Sequence, residues 1–216
     1  MPIPLFWTLF IPAAACAILY LTMTARGASP VRTLTKTLSV ALLAILAAFS
    51  DAPILLAIAL ALCAAGDAFL SAETEQTFMA GIGSFAAGHI AYILLFLTHS
   101  HSDLDLLSDN AWIIAALAAL GVVMAVVLAP RAGDLRVPVL LYIPIILGMG
   151  VAALCLPATG MLVWAWPAAA AFIASDLTLA TEKFLLPEGH PAMRVTPYLI
   201  WPLYWGAQVG FLLAFT

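Results

Sequence analysis

Nineteen consecutive residues, Ala111 to Ala129, read AWIIAALAALGVVMAVVLA without a single charge. Wound as a helix at about 1.5 Å per residue, such a run is as long as the hydrocarbon core of a bilayer is thick, and longer than a soluble core needs. Runs of about 18 or more apolar residues recur along the chain. Overall 65% of the residues are hydrophobic and 8% charged, with a mean hydropathy of +1.14. The chain therefore reads as an all-α integral membrane protein, a single polytopic domain over residues 1–216.

Gly, Pro and charge divide the apolar runs into eight candidate transmembrane helices, at about 3–24, 35–50, 53–72, 77–98, 111–129, 137–156, 162–183 and 195–215. The first lacks the basic leader of a signal peptide and is retained as a span. The second is short. Only Ser50-Asp51-Ala52-Pro53 separates it from the third, which predicts a tight hairpin with Asp51 or Ser50 capping the next helix. The basic residues support the count: Arg26, Arg32 and Lys36 fall between spans 1 and 2, Arg131 and Arg136 between 5 and 6, Lys183 and Arg194 between 7 and 8. The opposite side carries no Lys or Arg, and its long loop, His99 to Asn110, holds Asp103, Asp105 and Asp109. Under the positive-inside rule the basic loops are cytoplasmic and both termini are non-cytoplasmic. Dropping span 2 would scatter the basic residues over both faces. Trp7, Trp112, Trp164 and Trp166, near span ends, fit an aromatic belt.

Several classes are disfavoured by what the chain lacks. The net charge of −4 says little in a membrane protein, and no basic tail or patch points to nucleic acid. Cys16, Cys63 and Cys155 lie in apolar runs without metal or disulfide spacing and read as packing residues. No clustered His, Cys and carboxylate spacing calls for a metal, and no cofactor is expected.

The polar residues inside the spans carry the functional signal. Asp67 lies roughly 7–8 Å from the cytoplasmic end of span 3, and Asp176 about 10 Å from that of span 7. Ala65-Gly-Asp67-Ala-Phe-Leu70-Ser-Ala-Glu73 and Ala174-Ser-Asp176-Leu-Thr-Leu179-Ala-Thr-Glu182 share the pattern A-x-D-x-x-L-x-x-E. The match is consistent with a parallel 4+4 internal repeat that brings both aspartates to one central cavity. An unpaired charge at a helix centre costs about 2.5–3.5 kcal/mol on insertion scales, which favours function over ornament. The bland reading is a structural pair, each aspartate hydrogen-bonded to a neighbouring helix. His89 belongs to a helical stripe with Phe78, Gly81, Phe85, Tyr92 and Phe96, and Gly81 and Gly88 would admit a close neighbour. Span 8 carries a stripe of Tyr198, Trp201, Trp205 and Gln208. Tyr142 lies one turn after Pro138, and Lys36 opens span 2. A lone histidine among aromatics such as His89 can equally be a cross-helix hydrogen bonder, packing across helices is the favoured reading of Tyr92, Tyr142 and Gln208, and snorkelling explains Lys36 unless it meets an aspartate or a phosphate. Glu73, Glu75 and Glu182 read as solvated loop-edge charges.

Taken together, Lys36, Gly66-Asp67, Phe85-x-x-x-His89-x-x-Tyr92, Pro138-x-x-x-Tyr142, Ser175-Asp176 and Gln208, in that order over eight spans, resemble the YhhN/TMEM86 family of lysoplasmalogenases. The resemblance covers about residues 30 to 212. It implies an eight-helix membrane enzyme that hydrolyses the vinyl ether bond of lysoplasmalogens, releasing a fatty aldehyde and glycerophosphoethanolamine or glycerophosphocholine. Its partners would be the lysophospholipid substrate and membrane lipids.

The residues suit that chemistry on their own terms. Protonating the β-carbon of a vinyl ether leaves an oxocarbenium ion that water captures, so the site needs an acid and an anion. Two carboxyls in one apolar cavity can divide those roles, as in glycosidases. Asp67 and Asp176 are the expected pair, with His89, Tyr92 and Tyr142 orienting water or the pair. Lys36, joined by Arg32, would meet the lipid phosphate. Phe85, Tyr198 and Gln208 complete the expected substrate-binding set, and the alkenyl chain would lie along parts of spans 4 and 8. A proton-coupled transporter or lipid-binding protein would also display membrane carboxylates and repeated halves. Intramembrane aspartyl proteases pair two aspartates as well, but this chain lacks their Tyr-Asp and Gly-x-Gly-Asp motifs. The high Ala content and lack of targeting extensions suggest a bacterial inner membrane.

Overall fold

The computed structural model describes residues 3–72 and 74–216, with side chains from Phe6 onward. Glu73, the acidic end of the first repeat motif, lies outside the described residues. No strand occurs among those described. The chain forms α1 (Ile3–Leu21), α2 (Pro30–Ala48), α3 (Ile54–Leu70), α4 (Glu75–Thr98), α5 (Leu106–Asp109), α6 (Ala111–Leu128), α7 (Arg136–Ala153), α8 (Ala165–Phe184) and α9 (Thr196–Phe215), with short 3₁₀ turns before α7, α8 and α9. All but α5 run 17 to 24 residues. Six helical stretches among the described residues are long and apolar enough to cross a membrane, and Phe6–Leu21 and Ile54–Leu70 are shorter apolar helices.

Local chemistry accounts for where the boundaries differ from expectation. Helix α2 begins at Pro30, well before residue 35, because the Ser29 hydroxyl accepts from the Arg32 N–H at 3.2 Å and Pro30 supplies a preset first turn. These cap residues precede the apolar periodicity. In the 50–53 hairpin neither Ser50 nor Asp51 caps α3. Its N-cap is Pro53, without a side-chain cap bond, while Ser50 Oγ accepts from the Ala52 N–H and donates to the Ala47 carbonyl. The turn is closed from the α2 side. Thr74 and Thr77 form a reciprocal capping box at the start of α4. The four-residue α5 inside the acidic loop carries too little pattern to be seen in sequence.

The bundle closes as a ring. Helices α1 to α4 pack in chain order, α4 packs on α7, α7 on α6 and α8, α8 on α9, and α9 returns to α1, α2 and α3. The Trp201 indole N–H, donating to the Ala17 carbonyl at 3.0 Å, ties that closure. At the far end from the basic loops, Tyr92, Phe96, Phe211 and Phe215 form an aromatic stack. At the basic end a cavity opens instead. It is lined by the C-terminal parts of α1, α3, α6 and α8 and the N-terminal parts of α2, α4, α7 and α9, so consecutive long helices run in alternating directions.

Candidate active site

Two hydrogen-bonded groups face this cavity of about 640 Å³. The first is built by α2, α3 and α9. Lys36 Nζ lies 3.1 Å from Asp67 Oδ1, and the Tyr204 hydroxyl donates to Asp67 Oδ2 at 2.7 Å. The Asp67 side chain is 1% exposed and that of Lys36 13%. A buried carboxylate is tolerable here because an ammonium and a phenol occupy its two oxygens. Gly66, immediately before it, has no side chain to collide with Phe85: a Cβ would stand 2.7 Å from that ring.

The second group is built by α4, α7 and α8. The Tyr142 hydroxyl donates in a short hydrogen bond to Asp176 Oδ2, and His89 Nε2 lies 2.8 Å from the same hydroxyl. His89 Nε2 stands 3.9 Å from Asp176 Oδ2, with the His89 side chain fully buried and that of Asp176 20% exposed. Phe172 packs edge-on against the imidazole at 4.5 Å between ring centres. The Ser175 hydroxyl donates to the Ile200 carbonyl and so fixes α8 against α9 beside Asp176.

Phe85, Phe172 and Tyr204 form a cluster of edge-to-face rings between the two groups. No hydrogen bond joins Asp67 to Asp176 among the described residues. The carboxylates thus share a chamber without forming a bonded dyad. The cavity is also graded in polarity. Arg32, Lys36, Glu75, Glu182 and Lys183 line it at the basic end, with Tyr20 facing both Arg32 and Lys36 at 5.8 Å. Its apolar walls are Leu120, Met124 and Leu128 of α6, Val139, Ile143, Ile146 and Leu147 of α7, and Ile82 and Phe85 of α4.

The expected residues therefore divide. Lys36, Asp67, Phe85, Tyr142 and Asp176 line the cavity, and His89 stands directly behind Tyr142. Tyr92 and Gln208 do not line it. The Tyr92 hydroxyl donates to Gln208 Oε1 at 2.6 Å, and both side chains are fully buried in the adjoining core. Tyr198, near the start of α9, is exposed and outside the lining. Glu182 is no free loop-edge charge, since the Thr196 hydroxyl donates to it. Tyr204 and the α6–α7 walls were not anticipated. A three-residue step from Trp201 reaches Tyr204 and continues to Gln208 and Phe211, whereas the four-residue step chosen in sequence leads to Trp205. Both steps suit a helix face.

A sequence model of the YhhN family matches residues 31–215. The chain belongs to the YhhN family. No curated protein and no solved structure matches it. The YhhN match takes in Lys36, His89, Tyr142, Tyr204 and both aspartates but leaves out α1, so Tyr20 and Thr24 are cavity walls added from outside it. Chemically, this YhhN-family cavity offers one carboxylate neutralised by a lysine, one linked to a histidine through a phenol, and an amphipathic space between.

Proposed function

We propose that this YhhN-family protein is a membrane hydrolase that cleaves the vinyl ether bond of lysoplasmalogens. The observation that carries the reading is the pairing of Asp67 and Asp176 on one cavity that is charged at one end and apolar at the other. A lysoplasmalogen has the same polarity: a phosphodiester headgroup, one alkenyl chain and the labile bond between them. Seated in this space, the chain lies against the α6–α7 walls, the headgroup phosphate meets Arg32 and the lysine end, and the vinyl ether lies level with the carboxyls. One carboxyl supplies the proton, the other balances the oxocarbenium charge, and water completes the cleavage to aldehyde and glycerophosphodiester. In the same reading all eight long helices cross a bacterial inner membrane, as a parallel 4+4 repeat with the basic loops cytoplasmic. The cavity then opens to the inner leaflet.

The test is fatty aldehyde release by purified, detergent-solubilised protein from a lysoplasmalogen, with the ester lysolipid of the same headgroup beside it. Wild type releases aldehyde, and Asp67→Asn and Asp176→Asn do not. A folded wild type without aldehyde release would remove the hydrolase assignment, and gradient-driven uptake into vesicles would then be the next assay.

A further inference from the structure

The two carboxyls differ in a way that assigns their roles. Asp67 lines the cavity but is 1% exposed, its Oδ1 ion-paired with the Lys36 ammonium at 3.1 Å and its Oδ2 accepting from the Tyr204 hydroxyl. A proton placed there would leave the ammonium without its counter-charge in an apolar wall, an expensive state. Asp176 is held by Oδ2 alone, its side chain is partly exposed, and it faces the cavity. Its Oδ1 makes no hydrogen bond among the described residues, so that oxygen is open to a ligand.

The groups behind Asp176 reinforce the difference. His89 Nδ1 is buried without a hydrogen-bond partner. A hydrogen on Nδ1 would be a buried donor with nothing to accept it. The tautomer that fits these surroundings carries its hydrogen on Nε2, donating to the Tyr142 oxygen, which turns the Tyr142 hydroxyl hydrogen onto Asp176 Oδ2.

We propose, resting on the vinyl ether hydrolase reading, that Asp176 delivers the proton to carbon from Oδ1 while Asp67 stays a fixed anion, with His89 and Tyr142 as positioning residues. The Asp176 O–H bond breaks as the vinyl π pair forms a C–H bond at the β-carbon, leaving the α-carbon and ether oxygen as an oxocarbenium ion. Water adds to the α-carbon and its proton returns to Asp176. The hemiacetal then loses its hydroxyl proton as the bond to the glycerol oxygen breaks, and that oxygen leaves protonated. One water is consumed and one aldehyde and one alcohol are formed.

Small-acid rescue separates the roles. Asp176→Gly and Asp67→Gly are assayed for aldehyde release with added formate, which can act as an acid, and with chloride, which supplies charge only. Asp176→Gly loses about a hundred- to ten-thousand-fold in kcat with KM little changed, and formate, not chloride, restores part of the rate. In Asp67→Gly formate does no better than chloride. Rescue specific to formate at Asp67→Gly, or none at a folded Asp176→Gly, overturns the assignment while leaving an active wild type a hydrolase. A wild type that releases no aldehyde overturns the hydrolase reading and the assignment with it. Independently of activity, ring ¹⁵N NMR of the wild type, assigned with His89→Gln, should show His89 protonated at Nε2 and bare at Nδ1. The opposite tautomer breaks the positioning chain. His89→Gln should lower kcat and spare KM, and an unchanged kcat removes His89 from the scheme.

Discussion

Asp67 shows how a charged residue that should be intolerable in a buried apolar helix is made tolerable. Its charge is matched by Lys36 from the preceding helix, and the pair is nearly sealed from water. Removing one partner of such a pair leaves the other charged and alone, at a cost of about 3–5 kcal/mol. Lys36→Met should therefore lower the melting temperature in detergent sharply, and the double variant Lys36→Met/Asp67→Asn should recover much of the loss. Equal melting of the single and double variants would show that the pair is not formed. Both aspartates were legible in sequence because a carboxylate in an apolar run has few innocent explanations. Lys36 was legible as a residue but ambiguous in role, since aspartate and phosphate are both acceptors for an ammonium. Tyr204 gave no such signal: among Trp201, Tyr198 and Trp205 a further aromatic is unremarked until the register of α9 is known.

At the level of elements, the site depends on how closely α3 and α4 approach. Gly66 lets the Phe85 ring lie against the α3 backbone, and Phe85 is itself held by Phe172 and Tyr204. Gly66→Ala drives a methyl into that ring, and an overpacked core of this kind loses about 1–3 kcal/mol. The expected outcome is a lower melting temperature together with reduced aldehyde release, because the displaced ring is a cavity wall. Gly83→Ala on α4, where nothing lies within 4 Å of the added carbon, is the control and should be silent. Equal effects of the two would rule out the close-packing account. The extents of most long helices could be read from apolar runs bounded by Gly, Pro and charge. The early start of α2 could not, because the Ser29-Pro30 cap lies outside the run it initiates. The α6–α7 walls were missed for a related reason: residues such as Leu120 and Val139 are alike whether they face lipid or a cavity.

For the molecule as a whole, the alternating helices gather the ends bearing every described Lys and Arg around one opening. Asp105 and Asp134 are both exposed, one in the acidic loop and one in a basic loop. A membrane-impermeant maleimide should label Asp105→Cys in intact cells and Asp134→Cys only after lysis, the native cysteines being at least half buried. Labelling of both from one side would sink the alternating arrangement, and the reverse pattern would invert its orientation. The distribution of Lys and Arg made this arrangement readable in advance, whereas the ring closure by α9 depends on contacts such as Trp201 to Ala17 that leave no trace in composition. Helix α6 stands apart within the ring: it packs chiefly on α7, and only 6% of its apolar stretch is buried. Yet Leu120, Met124 and Leu128 on this helix wall the apolar end of the cavity. In the proposed membrane arrangement acyl chains, more than protein, would hold that wall in place. The lateral pressure and fluidity of the surrounding lipid would then set how wide the chamber stands, making the same polypeptide a different vessel in a thin, fluid membrane than in a thick, ordered one.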